Sequence, residues 1–226
     1  MTNQEYLAAV ATALGPLVDE VVFVGGLVVQ EYWTDPALRE PRVTVDADVI
    51  VEAETYMEYT IFGRRLGERG FLQLADVGTP PYRWIKDDLV LDAVPLDPKA
   101  LGFTNQWYRS GVLHATQVSL NDIVSIRILD APHFLASKLE AYRGRGADDA
   151  FISHDVEDVV SVVAGRPGCV EETKAADPEM AAWIGSVLTD VFPEERRVEM
   201  VAVHMDPTAP AGLAEAVAKR ITALIG

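Results

Sequence analysis

Apolar positions in the first hundred residues follow two kinds of pattern. From Asn3 to Leu17 and from Thr55 to Gly70 they recur every three or four residues, which predicts amphipathic helices. Shorter runs that contain apolar residues predict strands, and the run at residues 43–52 is rich in β-branched residues. These runs cover residues 21–24, 43–52, 71–75, 83–86 and 89–94, with a hairpin turn predicted at Asp87-Asp88. The whole pattern predicts an α/β (α+β) fold with a small mixed β-sheet flanked by helices.

The pattern becomes mostly helical after about Ser119. The polar run from Ser119 to Asp122 predicts the start of one helix, and Pro132 the first turn of another. Helical stripes of apolar residues follow at 152–163, 180–192 and 213–225. We therefore predict two parts, an α/β core over residues 1–118 and a mostly helical C-terminal region over residues 119–226.

The composition is that of an ordinary globular protein. Of 226 residues, 49% are hydrophobic and 24% are charged. No apolar run reaches the ~18 residues that a membrane span needs, and the N-terminal residues lack the pattern of a secretory signal. Cys169 is the only cysteine, which excludes an intrachain disulfide and a cysteine-rich zinc site. We expect a cytoplasmic protein with no membrane partner.

The formal net charge of −16 limits the classes of partner. So acidic a chain repels nucleic acid at long range, which argues against a broad basic binding face. A local basic patch stays possible, because Arg64, Arg65 and Arg69 cluster in one predicted helix. Both phosphate binding and a solvated helix face explain that cluster. The acidity also suits a cationic small-molecule substrate.

Three aspartates interrupt apolar, strand-like runs and are the candidates for chemistry. Asp46 and Asp48 are two positions apart, so on a strand their side chains share one face, roughly 7 Å apart. Paired carboxylates in apolar surroundings need a compensating cation, and Mg²⁺ prefers carboxylate oxygens. If the strand of Asp92 lies beside theirs, three carboxylates converge and can hold one or two divalent ions. The alternative is that they are ordinary turn or edge-strand carboxylates.

The pair Gly25-Gly26 closes the first apolar run of the chain. Without a Cβ, this backbone can approach a phosphate closely and present N–H groups from the helix that follows. A purely structural turn is the alternative interpretation.

Together, Gly25-Gly26, the Asp46-x-Asp48 pair and the later Asp92 resemble the polymerase-beta-type nucleotidyltransferase superfamily. The resemblance implies that the three aspartates bind Mg²⁺ (or Mn²⁺) and that the glycines contact the triphosphate. It also implies transfer of a nucleoside monophosphate from an NTP to an acceptor hydroxyl, with release of pyrophosphate. Many members have Gly-Ser at the glycine motif, whereas this chain has Gly26 in place of the serine, which affects the phosphate contacts.

The second half narrows the resemblance. Residues 134–143 and 154–159 are similar to the abortive-infection nucleotidyltransferases of the AbiEii/MenT type (type IV toxin–antitoxin). The resemblance implies that Lys138 neutralises the triphosphate and that Asp155 acts as a base or as the partner of the lysine. It also implies an RNA acceptor, such as a tRNA 3′ end, and an antitoxin protein as partner.

Helical geometry gives separate information about these two residues. Lys138 falls inside an apolar arc of its predicted helix, so it either extends past the apolar stripe to solvent or points into a polar pocket. The alternative to a ligand role is a lysine that pairs across two helices. Asp155 lies at the edge of an apolar stripe and Asp158 further toward solvent, which favours Asp155. The alternative role for Asp155 is charge complementarity at a helix N-terminus.

Two other functions stay open from the sequence. One is a small-molecule nucleotidyltransferase of the aminoglycoside type, which the acidity favours. The other is a non-catalytic member that binds a nucleotide or a protein partner and uses the fold as a scaffold.

Overall fold

The structure is a computed structural model, and it describes residues 1–35, 41–74, 78–98, 105–146 and 149–226. The sequence also predicts loops at residues 35–41 and 95–102. Parts of these predictions lie outside the described residues, namely 36–40 and 99–102 of the two loops and residue 75 at the end of a predicted strand. The chain forms two compact units. The first contains residues 1–28 and 42–130, and the second contains residues 29–41 and 131–226.

The first unit contains a mixed seven-stranded sheet, which confirms the predicted fold class. Its strand order is β3-β4-β5-β2-β1-β7-β6. The pairs β2–β5 and β1–β7 are parallel, and the other neighbours are antiparallel. The strands are β1 (Val21–Val24), β2 (Ala47–Val51), β3 (Leu72–Gln73), β4 (Arg83–Lys86), β5 (Leu89–Pro95), β6 (Thr116–Ser119) and β7 (Ser125–Ile128). Strand β1, an interior strand between β2 and β7, is buried along its whole length, so the core of this unit lies around it.

Three α-helices of the first unit are described: α1 (Asn3–Leu14), α2 (Tyr56–Glu68) and α3 (Tyr108–Leu113). Both α1 and α2 begin with a capping box, in which Thr2 pairs with Glu5 and Thr55 pairs with Glu58. Gly15, with a φ of 57°, is the C-cap of helix α1. It also begins a 3₁₀ segment, Gly15–Glu20. A second 3₁₀ segment, Gly26–Tyr32, follows β1 where the sequence predicts the start of a helix.

The second unit is helical, as the apolar stripes predict. Its helices are α4 (Ala131–Gly144), α5 (His154–Gly165), α6 (Cys169–Ala175), α7 (Pro178–Val191), α8 (Arg197–Val203) and α9 (Leu213–Ile225). Helix α4 packs against α5, α6 and α7, and α9 packs against the four helices that precede it. Trp33 joins this unit, because its indole Nε1 donates to the Ser161 carbonyl and its ring fills the space beside Gly165. No helix in the described parts of either unit is long and apolar enough to cross a membrane.

The second strand is shorter than the sequence predicts. It begins at Ala47 instead of Val43, so Asp46 precedes the strand and only Asp48 lies on it. The β-branched residues Val43 and Val45 are exposed, and none of the described strands pairs with them. High β-propensity therefore did not produce a strand here, because a strand also needs a partner for its backbone.

The helix predicted from Ser119 is wrong, since this segment turns between β6 and β7. The side chain of Asn121 accepts hydrogen bonds from the backbone N–H groups of Ile123 and Val124 and closes the turn. Asn and Ser favour both helix N-termini and turns for the same reason, which is that their side chains bond nearby backbone groups. Strand β7 thus lies beyond residue 118, and the domain boundary proposed there stays a prediction.

Candidate active site

The sheet places Asp48 and Asp92 side by side. Strands β2 and β5 are parallel neighbours, and in their register Asp48 is the direct partner of Asp92. Directly paired residues on adjacent strands point to the same face, with the strands about 4.8 Å apart. The prediction that the strand of Asp92 lies beside that of Asp48 is therefore confirmed, while the metal-binding role of both side chains stays a prediction.

Gly25 borders the same position from β1. Val24, the last residue of β1, pairs with Asp48, and Gly25 follows it with a φ of 80°. An ideal Cβ at Gly25 would lie 2.0 Å from Asp48 Oδ2, so no larger residue fits without moving that carboxylate. The bend thus brings a bare backbone against a candidate ligand. Gly26 is buried and begins the 3₁₀ segment that follows.

Arg83 is a member of this cluster that the sequence analysis missed. It is the antiparallel partner of Asp92 on β4. Its Nε donates to Asp92 Oδ1 at 2.7 Å and its Nη2 donates to Asp92 Oδ2 at 2.7 Å. The same Nη2 donates to Asp46 Oδ2 at 3.1 Å. Hydrogen bonding to Asp92 is the largest cause of a raised pKa of Arg83, and the negative charges of Asp92 and Asp46 add to it. The guanidinium therefore remains charged.

A signal for Arg83 is present in the sequence. Once Asp87-Asp88 is taken as a two-residue hairpin turn, Lys86 pairs with Leu89, and the ladder then sets Arg83 opposite Asp92. The structure has this register, with Asp87 at a positive φ of 52°. A search for acidic residues alone overlooks a cation that the hairpin register places among them.

Two residues of α1 hold the segment that leads to Asp46. The amide of Asn3 donates to the Arg42 carbonyl at 3.0 Å, and its oxygen accepts from the Thr44 N–H at 3.2 Å. One turn later, the Tyr6 hydroxyl donates to the Val45 carbonyl at 3.0 Å and accepts from the Val90 N–H at 2.7 Å. Side chains of α1 thus replace the missing strand partner. Tyr6 also ties this segment to β5, two residues before Asp92.

Burial, with a smaller contribution from the charge of Asp46, raises the pKa of Tyr6. The phenol therefore stays protonated and keeps its donor role. Neither Asn3 nor Tyr6 belongs to a sequence motif, and from the sequence alone Tyr6 is only one of the apolar positions of the helix predicted at residues 3–17.

The donor types at this cluster fit a divalent ion such as Mg²⁺, which takes carboxylate oxygens. Asp48 and Asp92 supply two carboxylates at paired strand positions, and Asp46, just before β2, supplies a third that shares the Arg83 guanidinium with Asp92. In the arrangement described, however, both oxygens of Asp92 and one of Asp46 accept from Arg83. Within the described ranges, no three His, Cys, Asp or Glu side chains are grouped so that they could hold a metal ion.

In the second unit, Lys138 and Asp155 form a buried ionic cluster. Lys138 Nζ on α4 lies 3.3 Å from Asp155 Oδ1 and 2.7 Å from Asp158 Oδ2, both on α5. Arg145 also pairs with Asp155, from a largely exposed position. The arrangement matches the interpretation in which the lysine pairs across two helices; its predicted role toward a triphosphate stays a prediction.

The expectation that Asp158 lies further toward solvent than Asp155 is wrong. The side chain of Asp158 is 3% exposed, and it is the closer of the two carboxylates to Lys138. A helical wheel ranks residues around one axis only, and α5 is buried on several sides by other helices. Asp158 is therefore an ionic partner that the sequence analysis undervalued.

Two arginines of the predicted basic cluster have structural partners. Arg65 of this cluster forms two hydrogen bonds with Glu20, at 2.5 and 2.7 Å, and Arg69 donates to the Ala13 carbonyl.

Burial raises the pKa of the Cys169 thiol to about 11, so this side chain is neutral near pH 7 and is a poor nucleophile.

The structure resembles a solved one over most of its length. It matches the crystal structure of an antigenic nucleotidyltransferase-like protein from Paracoccidioides brasiliensis over 89% of this chain and 91% of that chain, with a TM-score of 0.51 and 15% sequence identity. This chain has a nucleotidyltransferase-like fold. Neither a family model nor a curated protein matches it. In this nucleotidyltransferase-like fold, the cluster of Gly25, Asp46, Asp48, Arg83 and Asp92 is the candidate active site.

Proposed function

We propose that the protein is a metal-dependent nucleotidyltransferase, which moves a nucleoside monophosphate from an NTP to an acceptor hydroxyl and releases pyrophosphate. One observation carries this proposal. Asp48 and Asp92 are direct partners on neighbouring strands, beside a glycine bend that leaves no room for a Cβ. The nucleotidyltransferase-like fold is consistent with it.

In this proposal, Asp46, Asp48 and Asp92 would hold Mg²⁺ or Mn²⁺. The bound ion would neutralise phosphate charge and align the attacking and leaving oxygens. Asp48, next to the glycine bend, keeps its carboxylate directed at that bend. Asp92 would also help to remove the acceptor proton, and for this it must first release at least one oxygen from Arg83.

Gly25 and Gly26 would bind the triphosphate through backbone N–H groups, because the backbone there has no side chain to keep a phosphate away. Lys138 would add a positive charge to this binding, and Asp155 would position Lys138 or accept a proton. For that role Lys138 has to exchange a carboxylate of Asp155 or Asp158 for a phosphate oxygen.

The AbiEii/MenT-type resemblance supports RNA, such as a tRNA 3′ end, as the first candidate acceptor. With this acceptor, the proposal includes a cytoplasmic toxin role and an antitoxin protein as partner. The net charge of −16 supports a second candidate, a cationic small-molecule acceptor, because an acidic protein attracts cations and repels polyanions.

The test is nucleotide transfer by the purified protein. Labelled NTPs with Mg²⁺ are offered with total RNA or with aminoglycosides, and labelled product and pyrophosphate are measured. We expect Asp48→Asn and Asp92→Asn to lower transfer by about 10²–10³-fold or more, the range for loss of one electrostatic group at an active site. Asp190→Asn, an exposed substitution in α7, is the matched control and should retain activity.

The outcomes separate the candidate functions. Label on RNA supports an RNA acceptor, and label on the drug supports a small-molecule acceptor. NTP binding in calorimetry that needs no metal, with no turnover on any acceptor, would favour the non-catalytic alternative and contradict the proposal.

A further inference from the structure

Arg83 takes the position among the carboxylates that a cation is expected to take. Its guanidinium donates to both oxygens of Asp92 and to one oxygen of Asp46, over 2.7 to 3.1 Å. The side chain of Asp92 is 7% exposed, so its charge needs a partner close by. Arg83 is that partner, and its planar fork suits two parallel hydrogen bonds to one carboxylate.

A divalent ion and this guanidinium compete for the same oxygens. A metal bound by Asp92 and Asp46 needs lone pairs that now accept from Arg83. Its charge would also repel a guanidinium within hydrogen-bond distance of its ligands, and this repulsion is strong where water is largely excluded. Arg83 is 31% exposed and has a long side chain, so it can leave the carboxylates while its backbone stays in the β4–β5 hairpin.

We propose that Arg83 is the resident counter-ion of the acidic cluster: it holds Asp46 and Asp92 together while no divalent ion is bound, and it releases at least one of them when the ion binds. The inference rests on the proposed function, since it requires that these aspartates bind a metal. Arg83 is in this view a positioning residue. It stabilises the metal-free protein and weakens metal binding, because the ion has to displace it.

The direction of each effect follows from that competition. Removing the guanidinium leaves Asp92 without its charge partner, so the metal-free protein becomes less stable. The same change frees the carboxylate oxygens, so the metal binds more tightly. A residue that merely supported the ligand geometry would show the opposite effect on metal binding, because its loss would weaken it.

The experiment measures metal binding and stability without using activity. Mn²⁺ binding to the full chain is followed by electron paramagnetic resonance for the wild type, Arg83→Gln and Arg83→Lys. We expect R83Q to lower the Kd for Mn²⁺ by about tenfold or more, the scale of one charge-assisted hydrogen bond. R83K keeps the positive charge but loses the planar guanidinium that forms two parallel hydrogen bonds. Its Kd for Mn²⁺ should therefore lie between that of the wild type and that of R83Q.

Thermal unfolding gives the second measurement. In EDTA, R83Q should have a lower Tm than the wild type, and saturating Mg²⁺ should raise the Tm of R83Q more than that of the wild type. Arg65→Gln is the matched control, because it removes another bidentate Arg–carboxylate pair of the first unit, that of Arg65 and Glu20. It should leave the Kd for Mn²⁺ unchanged.

A third measurement uses the unmodified protein, in case R83Q does not fold. The ¹⁵N–¹H signal of the Arg83 Nε, assigned by its absence from the R83K spectrum, should shift when Mg²⁺ is added, because release of either carboxylate changes the surroundings of the guanidinium. An Arg83 signal that stays unchanged at saturating Mg²⁺ would overturn the inference.

The result also separates this inference from the proposed function. If the wild type binds Mn²⁺ and transfers nucleotide, but R83Q binds Mn²⁺ equally or more weakly, then the Arg83 inference fails and the proposed function stands. If neither the wild type nor R83Q binds Mn²⁺ or Mg²⁺, both fail.

Discussion

At the scale of single residues, the space beside Asp48 decides what position 25 can be. Gly25 combines a positive φ with a carboxylate oxygen 2.0 Å from the place of a Cβ. Gly25→Ala therefore strains the backbone and also pushes the Asp48 carboxylate out of its position. We expect this variant to lose nucleotide transfer nearly as completely as Asp48→Asn, and to lose about 1–3 kcal/mol of unfolding free energy.

Gly212→Ala separates strain from displacement of the carboxylate. Gly212 has nearly the same φ, 82°, and no neighbour within 4 Å of its ideal Cβ. This control should lose stability through strain alone and keep its activity. Denaturant unfolding and transfer assays on both variants check the prediction, and equal activity in G25A and G212A would contradict it.

Some residues of the acidic cluster could be predicted from the sequence and one could not. Asp48 and Asp92 interrupt apolar runs and Gly25 closes one, and these features are visible without a structure. Arg83 lies in a run of mixed polarity, and its place depends on a hairpin register that only the turn fixes. Side chains that act through spatial neighbours leave this kind of weak local signal.

At the scale of elements, α1 takes the place of a strand beside residues 42–45. Asn3 and Tyr6, one helical turn apart, bond four backbone groups of the segments that carry Asp46 and Asp92. Tyr6→Phe removes the hydroxyl and keeps the ring in the core. We expect Y6F to raise the Kd for Mn²⁺ and to lower kcat, because the two carboxylates lose their fixed spacing, and to cost about 1–2 kcal/mol of stability.

Thr55→Ala is the control for that loss of stability. It removes the N-cap of α2, which costs a comparable ~1 kcal/mol, but it does not touch the 42–45 segment. Steady-state kinetics and Mn²⁺ titrations of both variants give the comparison. If T55A and Y6F shift kcat and the Kd for Mn²⁺ equally, α1 contributes stability only.

The ionic cluster between α4 and α5 gives a separate prediction about stability. Lys138→Met removes the cation that lies 2.7 Å from the buried Asp158 carboxylate, and it removes one of the cations that pair with buried Asp155. Breaking a buried ion pair from one side typically costs about 3–5 kcal/mol, and we expect a loss of this size in denaturant unfolding. Adding Asp158→Asn to K138M should recover part of it, since one buried charge is removed.

Lys174→Met is the matched control for K138M. Lys174 lies in α6 and pairs with Glu171 at 3.8 Å, with both side chains exposed. An exposed pair of this kind contributes at most about 1 kcal/mol. A loss of stability in K138M as small as that in K174M would show that the pairs of Lys138 with Asp155 and Asp158 contribute little to the fold.

Elements were predictable where a single pattern decided them. The apolar stripes of α1, α2, α5, α7 and α9 agree with the helices of the structure. The errors fall where local preference and tertiary context differ. Val43 and Val45 have strand propensity but find no partner among the strands that the structure describes, and the Ser119–Asp122 segment has helix-start residues that serve a hairpin instead.

At the scale of the whole molecule, the formal net charge of −16 acts on every partner at long range. A polyanion such as RNA is repelled as it approaches, and a cationic small molecule is attracted. Salt screens both effects, because the Debye length is about 10 Å at 0.1 M ionic strength. The dependence of acceptor use on salt therefore reports the sign of the acceptor's charge without knowledge of its identity.

For an RNA acceptor, we expect kcat/KM to rise as monovalent salt increases from about 0.05 to 0.2 M, because screening weakens the repulsion. Basic nucleic-acid-binding proteins show the reverse, since salt competes with their phosphate contacts. For an aminoglycoside, kcat/KM should fall over the same range. A neutral sugar alcohol offered as acceptor serves as the control and should show little change. A fall in kcat/KM for RNA would contradict the expectation from net charge and would show that a local basic patch controls its approach.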